Sequence, residues 1–152
     1  MDFYNQYVLV KESREQVFQL LGKMPTEDFL KPITFDGKSI AHLYVHIANT
    51  YQGWLVKFAG QTEAESFDVQ QIQNIHDLVA LFQKVNEVVE EFIKKTQEQG
   101  VFKNSSISQT LELSALKLFT HVITHEFHHK GQVLMLTRQL GHQPMDTDVI
   151  RF

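Results

Sequence analysis

Four of the chain's eight histidines stand within nine residues, at His121, His125, His128 and His129. His121, His125 and His129 are each four apart, so on a helix they climb one face, one above the next. Two imidazoles at that spacing, His125 and His129, can hold one divalent ion from a single helix, with a third ligand supplied from elsewhere in the fold. A protonated ladder would stack like charges at i, i+4, which destabilises a helix, and this favours the metal reading. The chain has no cysteine, so any ion must be held by imidazole, by oxygen or by an incoming ligand.

The run His125-Glu126-Phe127-His128-His129 also satisfies H-E-x-x-H, the zinc-peptidase helix in which the glutamate is the general base. Position 132 is Gln132 rather than the third histidine of the extended motif, and no convincing sheet is predicted to hold a peptide. A peptidase is therefore disfavoured. Glu126 and His129 make one E-x-x-H of a di-iron bundle, but His42 and His46 are preceded three positions earlier by Ser39 and Leu43, so a second pair is missing. A third arrangement brings His46, from an earlier helix, to His125 and His129. Three imidazoles on two facing helices leave open coordination positions, the layout of a catalytic site. His42, one turn before His46, takes that place only in a shifted register. Imidazole does not name the metal, since nickel and iron accept it as zinc does. Glu126 lies off the ladder and reads as a solvated or salt-bridged side chain rather than a base. His128, about 100° away, suits packing or an interface. His121 suits a pocket, orienting a ligand or touching substrate, and His76 and His142 read as surface residues.

Positioning these side chains falls to four apolar stripes of helical period. They predict helices over 3–21, 39–59, 69–99 and 114–140, with Ser39 and Ser114 as caps and Gly22, Gly60, Gly100 and Gly141 as stops. Gly53 falls inside the second helix, where it costs about 1 kcal/mol relative to alanine and suggests close packing. Asp36-Gly37 and Asn104-Ser105-Ser106 mark loops, and 110–113 has an extended pattern. The expected fold is all-α: an antiparallel four-helix bundle formed by a single domain over 1–152, with a short irregular tail from His142 to Phe152.

Composition narrows the function. A net charge of −4 and a pI near 6.0 leave no basic patch, so nucleic acid is not an expected partner. No run approaches the roughly 18 apolar residues of a membrane span, and the N-terminus lacks the pattern of a signal peptide, so the expected compartment is the cytoplasm. Twelve phenylalanines, with Trp54 and four tyrosines, are a surplus of aromatic surface that suggests a homodimer.

Leu43-Tyr44-Val45-His46-Ile47-Ala48 followed by Trp54-Leu55, the stretch His121 to Gln132, and Arg138-Gln139-Leu140-Gly141 with Pro144 to Asp148 together resemble the DinB-like (damage-inducible) family. The resemblance spans nearly the whole chain. It implies an up-down-down-up bundle, frequent homodimers, and a metal held by histidines that fall here on His46, His125 and His129. Lys130 stands where arginine is common. The wider group includes bacillithiol S-transferases and mycothiol-dependent maleylpyruvate isomerase. By that likeness the protein is a divalent-metal enzyme, zinc or nickel, using a low-molecular-weight thiol to attack a small electrophilic substrate. A hydrolase in which the same metal activates water, and a non-enzymatic metal-binding scaffold, are the alternative classes.

Overall fold

The computed structural model describes residues 2–105 and 110–150. Ser106 of the expected loop and the last two residues of the expected tail lie outside them. Helix α1 (Phe3–Leu21) starts at Asp2, whose carboxylate accepts from the Asn5 N–H, and agrees with the expected span. A short helix α2 (Thr26–Leu30), entered through Pro25, occupies part of what reads as a loop. Helix α3 (Ile40–Tyr51) is capped by Ser39 as expected, but from Gln52 to Phe58 the chain winds as a π-helix. The Ala59 N–H donates to Trp54 O, a bond one residue longer than the α-helical one.

The third long helix differs from its expected 69–99. Residues Val69–Gln71 make a single 3₁₀ turn and helix α4 runs Ile75–Thr96. Two competing caps explain the late start. Asp68 accepts from the Gln70 N–H, and Asn74 accepts from the His76 N–H while Asp77 returns a bond to the Asn74 N–H. The second cap satisfies more of the orphan donors of a helix start. After α4, strands β1 (Val101–Asn104) and β2 (Leu111–Ser114) pair antiparallel, Val101 opposite Ser114 and Asn104 opposite Leu111. Ser114 then caps helix α5 (Ala115–Gln139). Gly141, at φ 87°, closes it: the Gly141 N–H donates to Arg138 O and the His142 N–H to Thr137 O, a Schellman motif that needs the left-handed residue.

Helix α1 packs on α4 and α5, and α3 on the same two, so α1 and α3 occupy opposite corners. Direction follows from which ends meet. Tyr7 faces Tyr51 and Phe18 faces Tyr44, so α1 and α3 run oppositely. Phe18 meets Phe82 while Lys11 reaches Glu90, so α4 also opposes α1. Phe3 meets Phe119 and Arg14 meets Glu126, so α5 runs with α1. The course is up-down-down-up. Between the helices, Phe18, Tyr44 and Phe82 pack edge to face with centroids 5.2–5.5 Å apart.

Inside this apolar core lies an ion pair to which all four long helices contribute. Arg14, on α1, sits among the stripe of Tyr7, Val10, Val17 and Leu21 and is buried. Its Nε donates to Glu126 Oε1 at 2.7 Å and one terminal nitrogen to Oε2 at 2.9 Å, a bidentate fork. The Tyr51 hydroxyl of α3 donates to Oε2 at 2.7 Å, and the other guanidinium nitrogen donates to Asn86 Oδ1 of α4 at 2.9 Å. The guanidinium carbon also stands 4.6 Å above the Phe82 ring. Burial opposes the guanidinium charge, but the Glu126 carboxylate beside it holds Arg14 well above its usual range. Breaking such a pair strands a charge in the core. Arg14→Met alone should cost about 3–5 kcal/mol by urea denaturation, whereas Arg14→Met with Glu126→Met should recover most of that loss.

Candidate metal centre

The histidine ladder of α5 faces away from the ion pair. Val122, Ile123, Glu126 and Val133 are buried on the core side, while His121 is exposed and His125 and His129 are half-buried. Across from them α3 presents His46. One nitrogen from each of His46, His125 and His129 lies within 4.8 Å of the other two, and His125 Nε2 is 3.1 Å from His46 Nε2. Two ligands of one tetrahedral ion, at bond lengths of about 2.0–2.1 Å, stand about 3.4 Å apart, so the spacing suits a shared ion.

The neighbours orient the rings. Gln132 Oε1 accepts from His129 Nδ1 at 2.6 Å, which leaves the His129 Nε2 lone pair directed elsewhere. The other end of the same amide is 3.4 Å from His128 Nε2. Thr50 Oγ1 donates to the His46 carbonyl at 2.9 Å and lies 3.1 Å from His125 Nε2. Neutral imidazole, the form that ligates, is favoured. Burial, then the adjacent His129 and His46, pushes His125 down from 6.5 to about 4, and burial also lowers His129.

The remaining histidines fall into place around this cluster. His42 Nδ1 accepts from the Ser39 N–H at 3.2 Å as half of the α3 capping box, so the register is not shifted and His42 does not join the group. His121 packs edge-on against Trp54 with centroids 5.0 Å apart. His128 is exposed beside His129, and His76 is exposed. His142, expected at the surface, is instead half-buried, with Nε2 2.8 Å from Asp28 Oδ2. Glu126 is ion-paired but not solvated. With both oxygens engaged in the core it cannot serve as the base of an H-E-x-x-H peptidase, nor as a di-iron ligand. Lys130 donates to Ser13 Oγ and Thr147 O, pinning the tail on the bundle.

Arg14 is not among the residues that the sequence motifs single out, although its position carries a signal. It occupies a stripe position at a spacing of 4-3-4-3-4 through Phe3, Tyr7, Val10, Arg14, Val17 and Leu21. Gln132 and Thr50 carried no such mark.

Residues 3–152 match the family model described as DinB family. Among curated proteins the chain is similar to Protein DinB of Bacillus subtilis (strain 168), 23% identical over 146 residues, covering 90% of this chain and 84% of that protein. It is likewise similar to the uncharacterized protein YizA of the same organism, at 24% identity over 143 residues, covering 90% and 87%. Among solved structures it resembles a DinB-like protein of Bacillus cereus ATCC 10987 (TM-score 0.70, 18% identity, 95% and 94% of the two chains). A DinB-like protein of Bacillus subtilis also matches (TM-score 0.63, 14% identity, 91% and 94%). At these identities the two structures speak for the fold alone.

The depressed histidine has a consequence for stability. His125 binds its proton less readily in the folded protein, near 4, than in the unfolded chain, near 6.5, so between those values protons favour unfolding. Metal-free protein should lose stability as the pH falls from about 6.5 toward 4, read as the urea midpoint. His125→Gln should show a shallower decline over that window.

Proposed function

Because the chain belongs to the DinB family, we propose that it is a divalent-metal protein in which His46, His125 and His129 hold one zinc or nickel ion, and that it acts as a thiol S-transferase on a small electrophile. The observation that carries the metal reading is the convergence of three ring nitrogens from two rigid helices. When bound there, such an ion would act as a Lewis acid, lowering the pKa of a coordinating thiol toward neutrality. The protein's own part is positional. The Gln132 amide sets the His129 tautomer, and Thr50 restrains the strand of contacts between His46 and His125. The absence of cysteine fits a reaction whose sulfur arrives on a small molecule. No helix among the described residues is long and apolar enough to cross a membrane.

The assembly we favour is a homodimer, supported by the family likeness and by Phe35 and Met135, exposed apolar side chains lining one hollow beside His129. Sedimentation at high protein concentration should give twice the monomer mass; a monomer would refute the dimer.

Metal content after dialysis against zinc or nickel should be one ion per chain, absent in His129→Ala and nearly unchanged in His128→Ala. Retention should extend below pH 6.5, because His125 and His129 resist protonation. Equal losses in the two variants would overturn the ligand set. Consumption of an alkylating electrophile such as monobromobimane by loaded protein should require an added low-molecular-weight thiol. Ester hydrolysis without thiol would mark a hydrolase, and neither activity in fully loaded protein would mark a scaffold.

A further inference from the structure

Two hollows meet at the Trp54 indole beside the histidine cluster. The first, about 440 Å³, extends from His46 past Thr50 and Gly53 to Lys57 and Asn104. The second, about 660 Å³, is walled by Trp54, Leu111, Leu113, Leu116 and Leu118. Both fall within the roughly 300–1,000 Å³ of small-molecule sites. Their shared walls come from the two elements that the helical stripes did not foretell, the π-helical segment and the hairpin. Asn104 ties these together by donating to Phe58 O at 3.3 Å.

Gly53 has a clear place here. A Cβ on it would meet nothing within 4 Å, so it is not a close helix contact, contrary to the sequence expectation. It forms part of the wall of the first hollow, where any larger side chain would take up the space. Trp54 is held by its neighbours, His121 at 5.0 Å and Phe58 at 5.6 Å between centroids, and offers a fixed aromatic surface to both spaces. Charge discriminates further. The chain carries 18 acidic against 14 basic residues, yet among the described residues no Asp or Glu lines either hollow. The full charges among the described lining residues are the ammonium groups of Lys57 and Lys117.

We propose that the two hollows form one binding cleft for a small anion with an apolar body, an aryl- or alkyl-substituted carboxylate, packed on Trp54 with its acid group beside Lys57. That this molecule is the substrate rests on the metal reading above; its binding does not, since neither Trp54 nor Lys57 belongs to the triad. Apolar contact with Trp54 and the leucine wall supplies the affinity, and Lys57 supplies the sign of charge.

Trp54 is the sole tryptophan, so its indole N–H gives one signal in a ¹H–¹⁵N spectrum. The test titrates 4-phenylbutyrate and its neutral amide, 4-phenylbutanamide, into the full chain, both metal-loaded and as His129→Ala. The signal should move saturably with both probes in both proteins, the anion binding about two- to fivefold more tightly. Lys57→Gln should erase that preference while leaving amide binding unchanged, and Gly53→Leu should weaken both probes by about tenfold. An unmoved indole signal, equal affinities unaffected by Lys57→Gln, or binding lost in His129→Ala would each overturn the cleft. Failure of the metal reading would show separately, as wild-type protein that binds the probes yet retains no ion.

Discussion

Arg14 and Glu126 form the interaction on which the arrangement depends. Taking a guanidinium and a carboxylate out of water costs several kcal/mol per ion, and only near-complete satisfaction of their hydrogen bonds offsets it. Here the fork to Glu126 is bidentate, Tyr51 fills a carboxylate lone pair, and Asn86 accepts a further guanidinium proton. Tyr7 lies 3.2 Å from the same guanidinium. Burial pushes the Tyr7 hydroxyl up to about 12 and also raises Tyr51, so both stay neutral. Each of the four long helices contributes a group, and the fork's planar geometry sets their heights relative to one another.

That internal setting is what aligns the outer face. Glu126 is the residue after His125 on α5, and Tyr51 is the residue after Thr50 on α3. Holding Glu126 against Tyr51 therefore holds His125 against Thr50, and His46 one turn away against His125. A slip of either helix by one residue would separate the rings and leave an unpaired charge in the core. The price of that misalignment is the pair's own desolvation, so the buried ion pair guards the register of the exposed histidines.

His125 and His129 are held against protonation. Their partial burial is the larger cause, and the neighbouring imidazoles add to it. Gln132 sets the tautomer of His129. A few turns along α3 the winding changes to π, and the chain reaches Trp54 and the hairpin instead of continuing an α-helical stripe.

By itself the sequence determined the four long helices, their caps at Ser39 and Ser114, and the ladder on α5, because these rest on local periodicity and on side chains bonding to nearby backbone. The motif likeness also pointed to His46, which the fold then set within reach of His125 and His129. Tertiary structure decided the rest. Arg14 stands out in one dimension only as a charge within an apolar stripe; its partner Glu126, 112 residues away, is hidden by that distance. The cleft at Trp54 joins the π-helical segment to the hairpin through Asn104 and Phe58, 46 residues apart, and no local propensity encodes a contact of that kind.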